Sequence, residues 1–255
     1  MLRGLYSAAS GMISASYREE VISNNFANLR TPGFKKEEAT QTSFEAVLLG
    51  QLQKTSLNTA YWQYLGSMPL GSGIAEIAAD YNQGPLRATS LSTDLAIEGE
   101  GFFVLQLPDG EIGYTRNGSF ILDGEGNLVT SDGYFVLGET GPIKLETNNF
   151  KIDNQGNIIE NETLIDRLLI TAFNGNDFNR IREGVFQPQA GNIPLPQAEL
   201  NFKIHQGYLE EPNIDLSSEI AKMVTNLRYF EANQRVVSTY DQILRVAANE
   251  IGKLA

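Results

Sequence analysis

The sequence predicts an α+β fold, with N- and C-terminal helices paired as a coiled-coil domain and a central antiparallel β-rich domain. Three observations carry this expectation. Both ends repeat apolar residues at three-four spacing, and the middle alternates short apolar runs with turns led by Asp and Gly. Charge is also divided between ends and middle: residues 1–35 sum to +2, residues 213–255 to 0, and residues 36–212 to −14.

The N-terminal stripe runs Leu5, Ala8, Met12, Ala15, Glu19, Ile22, Phe26 and Leu29, and only Glu19 breaks it. No proline precedes Pro32, and Thr31-Pro32-Gly33 stops the helix. The C-terminal stripe is longer: Leu216, Ile220, Met223, Leu227, Phe230, Gln234, Val237, Asp241, Leu244, Ala248 and Ile251. Asp215 or Ser217 can cap its start, and Glu219 suits the positive end of the helix dipole. One such stripe is accounted for by a pair of core helices. Two, at opposite ends of a chain whose middle has a different composition, predict an end-to-end helical hairpin available for assembly.

The middle echoes itself at an offset of thirty residues. Phe120-Ile121-Leu122-Asp123-Gly124-Glu125-Gly126-Asn127-Leu128-Val129 matches Phe150-Lys151-Ile152-Asp153-Asn154-Gln155-Gly156-Asn157-Ile158-Ile159. Each reads as strand, Asp-led turn with Gly at a positive-φ position, and strand. Pro108-Asp109-Gly110 and Ser131-Asp132-Gly133 add further turns. The expected organisation is 1–35 plus 209–255 as the helical assembly domain, 36–85 as an extended linker, and 86–208 as the β-rich outer domain.

Composition excludes several chemistries. There is no cysteine, hence no disulfide, thiolate catalysis or cysteine-ligated zinc. His205 is the single histidine, on an alternating strand-like stretch, and reads as a satisfied or solvent-facing strand residue. The Asp123–Asn127 run resembles the opening of a calcium loop but has Leu128 and Tyr134 where Gly and a carboxylate are needed. Gly99-Glu100-Gly101-Phe102 is a tight turn rather than a phosphate cradle, and Tyr61, Trp62 and Tyr64 anchor the linker to a neighbouring surface. An acidic middle does not suit nucleic acid. No catalytic, cofactor or metal residue is expected, and the reading is not an enzyme. The start of the chain lacks an apolar h-region, and no segment has the length of a membrane span. Alone, that predicts a cytoplasmic protein.

Four ordered stretches carry a family resemblance. The first is Ser23-Asn24-Asn25-Phe26-Ala27-Asn28-Leu29-Arg30-Thr31-Pro32-Gly33-Phe34-Lys35. The second runs from Thr93 to Phe103 and contains Gly99, Gly101 and Phe102. The third is Tyr114-Thr115-Arg116-Asn117-Gly118-Ser119-Phe120, followed by Gly126-Asn127-Leu128-Val129-Thr130. The last is Gly207-Tyr208-Leu209-Glu210, with Arg228-Tyr229-Phe230-Glu231-Ala232-Asn233. Together they resemble the signatures of bacterial flagellar rod and hook axial proteins, closest to the class of the distal rod and its proximal-rod relative. The signature positions are Asn25, Ala27, Asn28, Thr31, Gly33, Phe34, Lys35, Gly99, Gly101, Phe102, Arg116, Gly118, Tyr229, Glu231 and Asn233.

The resemblance implies a structural subunit of the flagellar basal body. Such a subunit leaves the cytoplasm through the flagellum's own type III export apparatus without a cleaved signal peptide, and it does not insert in a membrane. Its partners are copies of itself in a helical homo-oligomer and other rod and hook subunits. The expected assembly interface is Leu5, Met12, Ile22, Phe26 and Leu29 on one seam, and Ile220, Leu227, Phe230, Val237 and Leu244 on the other. Two alternatives are a hook or hook-associated protein of the same family and a secreted β-rich binding protein.

Overall fold

The computed structural model describes residues 2–54, 60–147, 150–173, 178–182, 184–188, 194–195 and 201–252. The fold is α+β and separates into two compact units. One comprises Met1–Phe26, Glu37–Ala78 and Asp215–Ala255; the other comprises Ala27–Lys36 and Ala79–Ile214.

In the first unit, helix α1 (Leu2–Ala27) is followed by strands β1 (Glu37–Ser43), β2 (Ala46–Lys54), β3 (Ala60–Pro69) and β4 (Ser72–Ala79), and the chain closes on helix α2 (Leu216–Gly252). The stretch expected as a linker thus carries four strands. β2 and β3 form an antiparallel hairpin, whereas β1 pairs with the sequence-distant β4. Pairing at that separation leaves no local signal in the sequence.

Serines hold α1 to β4. The Ser14 hydroxyl donates to the Ser72 carbonyl at 3.0 Å, the Ser72 N–H donates to the Ser10 hydroxyl at 3.3 Å, and the Gln41 amide donates to the Ser72 hydroxyl at 2.6 Å. Arg18 in turn donates to the Gln41 side chain.

The two helices touch along antiparallel paths through small and polar residues. A Cβ at Gly4 would lie 2.3 Å from the Tyr240 hydroxyl, and one at Gly11 would lie 3.0 Å from both the Tyr229 hydroxyl and Asn233 Nδ2. Ala8 and Ala15, on the same side of α1, are buried. Asn226 Nδ2 donates to the Ala15 carbonyl at 2.9 Å and to Glu19 Oε2 at 2.8 Å. Glu19, the one break in the apolar stripe, therefore has a partner on α2. Asp215 begins α2 as a cap, its Oδ1 accepting from the Ser217 N–H at 3.1 Å.

The second unit is built from β5 (Leu86–Ala88), β6 (Leu95–Gly99), β7 (Phe102–Gln106), β8 (Ile112–Thr115), β9 (Phe120–Leu122), β10 (Leu128–Thr130) and β11 (Phe135–Val136). It continues with β12 (Phe150–Ile152), β13 (Asn157–Glu160), β14 (Thr163–Arg167), β15 (Ile170–Phe173), β16 (Phe178–Arg182), β17 (Val185–Pro188), β18 (Pro194–Leu195), β19 (Phe202–Gln206) and β20 (Tyr208–Glu210). The largest sheet runs β16-β17-β8-β7-β11-β10-β9, and β12-β13-β14 forms a second; the pairs within both are antiparallel. Phe103, Leu105, Phe120, Leu128, Val136, Ile158, Leu168, Ile170 and Ile204 meet in one buried core.

The thirty-residue echo becomes two copies of one turn. Asp123 Oδ1 accepts from the N–H groups of Glu125 and Asn127, both at 2.8 Å, and its Oδ2 accepts from Asn127 Nδ2 at 2.7 Å. Asp153 does the same with Gln155 at 2.8 Å and with Asn157 at 2.9 and 2.7 Å. Gly126 and Gly156 take φ values of +86° and +87°, where a side chain would strain the backbone.

The donors around these carboxylates lower both pKa values. For Asp123 the Asn127 side chain is the largest cause; for Asp153 burial alone would raise the value, and the Asn157 side chain and backbone donors outweigh it. A depressed carboxylate adds stability above its unfolded value of 3.8, and that stability is lost as pH falls through the lower folded value. The β unit is therefore expected to weaken progressively below pH 3.8, and Asp123→Asn with Asp153→Asn to flatten that acid limb, as read by urea midpoints between pH 5 and pH 2. An unchanged limb in the double variant would exclude this origin.

Gly118 packs closest of all. A Cβ there would fall 1.6 Å from the Leu95 carbonyl oxygen, and the two backbones are held at this distance because the Leu95 N–H donates to the Gly118 carbonyl at 3.0 Å. Gly118→Ala should cost roughly 3 kcal/mol or more in urea unfolding, because backbone and not a movable side chain stands in the way.

Candidate functional site

Five of the fifteen signature positions, Gly33, Lys35, Gly99, Phe102 and Arg116, gather around one carboxylate in the β unit. Glu210, at the end of β20, is buried, with 1% of its side chain exposed. Its Oε1 lies 2.6 Å from Lys35 Nζ and accepts from the Gly84 N–H at 2.9 Å, while its Oε2 lies 3.4 Å from Arg116 Nη1. Its backbone carbonyl accepts from the Gly33 N–H at 2.7 Å. One residue thus ties together the turn after α1, the segment before β5, and the end of β8.

The two cations are held by more than Glu210. Lys35 Nζ also donates to the Asn82 carbonyl at 2.8 Å. Arg116 donates to the Ile97 and Gly99 carbonyls at 3.2 and 2.6 Å, and its guanidinium lies 5.4 Å from the centre of the Phe102 ring. Its Nε is buried without a hydrogen-bond partner among the described residues. Phe102 packs edge-to-face with Tyr81 and Phe186 at about 6.1 Å. Burial lowers the Lys35 pKa below its ordinary 10.5, with Glu210 pulling the other way and Arg116 adding to the depression. Burial also lowers Arg116, again opposed by Glu210.

The glycines of the signature make room for this packing. Gly33, at φ +67°, presses against the Arg116–Asn117 peptide, where a Cβ would lie 2.3 Å from the Arg116 carbonyl carbon. Gly99, at φ +100°, faces the Asn201 carbonyl oxygen, 2.4 Å from a Cβ built there. Gly101 also has positive φ, and Phe34 is buried. Thr31 donates its hydroxyl to Asn28 Oδ1 at 3.1 Å, and Asn28 is buried.

The remaining signature residues lie elsewhere. In the helical unit, Asn25 is 1% exposed and clamps β1 at two points. Its Nδ2 donates to the Glu37 carbonyl and its Oδ1 accepts from the Glu37 N–H, both at 2.9 Å. Ala27 is exposed. On α2, Tyr229 and Asn233 face Gly11, while Glu231 is exposed, 4.0 Å from Arg235.

The expected assembly residues divide by burial. Ile22 is buried, and Leu5, Met12, Phe26, Leu29, Phe230 and Val237 are half-buried. Ile220, Leu227 and Leu244 are exposed. Exposed apolar residues that the stripes do not contain include Tyr6, Ile13 and Tyr17 on α1 and Val224, Val236, Ile243 and Val246 on α2. Sequence reading also left out Glu210 as a site residue, although Gly207-Tyr208-Leu209-Glu210 precedes the helix signature; an acid with two unplaced basic signature residues upstream was the available signal.

Other sequence candidates are placed as follows. His205 sits half-exposed on β19, its Nε2 2.6 Å from Glu98 Oε2 across the β6–β19 pair. The hydrogen bond from His205 lowers the Glu98 carboxyl. Tyr64 is exposed on β3, and the side chains of Tyr61 and Trp62 lie outside the described ones. Among the described residues no cluster of His, Asp and Glu could hold a metal, and no helix is long and apolar enough to cross a membrane.

Glu210→Gln would leave two buried cations facing a neutral group. The expected cost is about 3 to 5 kcal/mol, read as a shift of the urea midpoint, and Lys35→Met with Glu210→Gln should recover part of it. A cost under about 1 kcal/mol would show that the cluster does not hold these segments together.

Comparison with known proteins fits this arrangement. Residues 5–35 match the family described as flagella basal body rod protein, residues 96–162 the flagellar hook protein FlgE/F/G D1 domain, and residues 205–250 the flagellar basal body rod FlgEFG protein C-terminal region. The chain is 33% identical to the flagellar basal-body rod protein FlgG of Buchnera aphidicola subsp. Acyrthosiphon pisum, over 96% of this chain and 98% of that protein. It is 34% identical to FlgG of Borreliella burgdorferi, over 98% of each. It is also 31% identical to the flagellar hook-basal body complex protein FlhO of Bacillus subtilis, over the full length of both. The chain belongs to the flagellar rod and hook protein family and is a structural subunit of the basal-body rod.

Proposed function

We propose that the chain polymerises through its terminal helices into the helical drive shaft that carries torque to the hook. The observation that supports this reading most is the apolar surface of α2. Leu216, Ile220, Val224, Leu227, Val236, Ile243, Leu244 and Val246 are all exposed in the single chain. Full burial of such a side chain contributes roughly 2 kcal/mol, so about half of that is still available at each. A neighbour that covers these residues stabilises both chains at once.

In this reading α1 and α2 pair as a coiled coil when neighbours cover them, with Leu5, Met12, Ile22, Phe26 and Leu29 on one seam and Ile220, Leu227, Phe230, Val237 and Leu244 on the other. The functional limits are 1–35 plus 209–255 for assembly, 36–85 for the connecting strands, and 86–208 for the outer β domain. In the free chain the helices fray, because isolated amphipathic helices gain little in water. Ordering and polymerisation are then one event. A head-to-tail contact repeated with a non-closing rotation makes a tube.

The chain reaches its site through the flagellar type III export apparatus, and its neighbours are copies of itself and other rod and hook subunits. The role is structural, without catalytic step, cofactor, nucleic acid or membrane insertion. Identity to FlgG and to FlhO supports a rod position in either the distal or the proximal class.

Electron microscopy of basal bodies from a strain lacking the chain, beside a complemented strain, tests this. Rods that stop short and carry no hook support the reading; complete rods with hooks overturn it. Phe230→Asp should abolish incorporation into rods while the β unit keeps its native circular-dichroism spectrum, and recovery of that variant in finished rods would count against assembly through α2.

A further inference from the structure

A second exposed apolar row lies on α1, on a face outside the expected seams. Tyr6, Ile13 and Tyr17 are 58%, 59% and 54% exposed, and with Ala9 they line one wall of a groove of about 490 Å³. Phe44 and Ile77, from the β1–β4 side, line the other wall and are also exposed. On α2, Leu216, Ile220, Val224 and Leu227 are 48%, 47%, 43% and 46% exposed. These are two different patches on one molecule, so contact between copies through them is head-to-tail, and it propagates as an open helix when the rotation between copies does not close a ring.

The spacing of the two rows fixes their relative direction. Along α1 the positions Tyr6, Ala9, Ile13 and Tyr17 step by three, four and four residues. Read backwards along α2, Leu227, Val224, Ile220 and Leu216 step by three, four and four. Read forwards, α2 steps by four, four and three, and the two middle levels fall out of register by one residue each. At about 1.5 Å per residue both rows are roughly 16 Å long. The small Ala9 comes level with Val224, which leaves room for the branched side chain. Charge agrees at one end: Arg3, three residues before Tyr6, is exposed with no ion pair among the described residues, and falls one residue, about 1.5 Å of rise, from the level of the exposed Glu231, whose own partner Arg235 is 4.0 Å away.

We infer that the α1 groove is the receptor for the Leu216–Leu227 row of a second copy, packed antiparallel with Tyr6 against Leu227, Ile13 against Ile220 and Tyr17 against Leu216. This rests on the proposal that the chain polymerises, and adds which surfaces meet and in what register. The antiparallel sense is the one a tube requires. Copies related by a screw along the helices keep every α1 pointing one way and every α2 the other.

The chain has no cysteine, so disulfide trapping reads the contact without background. Variants would be produced in cells that lack the native chain, and isolated basal bodies oxidised and run on non-reducing gels. Tyr6→Cys with Leu227→Cys, and Ile13→Cys with Ile220→Cys, are expected to give ladders of linked copies. Co-production of the two single variants Ile13→Cys and Ile220→Cys should give dimers only, which marks the bond as lying between copies. Shafts that contain the variants yet stay unlinked overturn the inference and leave the polymerisation proposal standing, as does a ladder from Tyr6→Cys with Leu216→Cys in place of Leu227→Cys. Complete rods and hooks in cells without the chain overturn both. Should the cysteine variants fail to enter shafts, the charged end decides. Arg3→Glu is expected to lower incorporation about fivefold, Arg3→Glu with Glu231→Arg to restore it, and a persistent loss in the double variant overturns the register.

Discussion

The β unit depends on a carboxylate that could not be buried alone. Transferring one ionised side chain from water into a protein interior costs several kcal/mol, so Glu210 is stable in place only because Lys35, Arg116 and the Gly84 N–H surround it. Those partners come from segments far apart in sequence, and the two cations also donate to backbone carbonyls, Lys35 to Asn82 and Arg116 to Ile97 and Gly99. The consequence is mutual dependence: removing any partner leaves a charge buried without compensation. An apolar cluster at this position would hold the segments as well, but it would tolerate sliding. Directional bonds to a carboxylate and to carbonyls do not, so the turn at Gly33 has one seat against Arg116 and Asn117.

The helical unit is held by the opposite means. What α2 turns toward α1 is polar or aromatic with a polar tip: Asn226, Tyr229, Asn233 and Tyr240, set against Gly4, Gly11 and Ala15. Buried Glu219 completes that side, bonded to Lys222 at 2.9 Å. Small residues bring the helices' surfaces together, while the larger apolar side chains of α2 stay outside. Each such side chain keeps roughly 1 kcal/mol of unrealised burial, and several together approach the few kcal/mol by which domains are stable. A surface with that reserve is stable in a crowd of copies and marginal alone.

Much of this architecture was legible in the sequence, and the failures have physical causes. The helices were visible because three-four spacing and the Thr31-Pro32-Gly33 stop are local signals, and the duplicated turn because Asp, Gly and Asn each have a fixed local task. The strands β1 to β4 were not, since β1 finds its partner beyond an intervening hairpin. The resemblance picked out Gly33, Lys35, Gly99, Arg116 and Gly118 without their reason; only the fold shows that they serve Glu210 or the close approach of Leu95. The stripe on α2 misled in one respect. Periodicity says that a helix has an apolar side but not whether its own chain covers that side, and α2 turns the polar flank of its stripe toward α1.

Absence of cysteine sharpens the contrast between the units. With no covalent crosslink, every long-range tie has to be remade from side chains that are well solvated in the unfolded chain. In the β unit the duplicated turns lower that barrier: Asp123 and Asp153 each organise their own loop within five residues, so two hairpins can form before any distant contact does. The charge cluster joins residues 35, 116 and 210, whose wide separation in sequence makes it the non-local tie across what the turns build locally. Among the described residues the helical unit has no comparable cluster of buried opposite charges, and it keeps a large exposed apolar surface. Under the proposed assembly, the β part is closed by its own charges while the helices complete their burial against neighbouring copies, and that difference follows from where the chain has placed its charges and where it has placed its leucines.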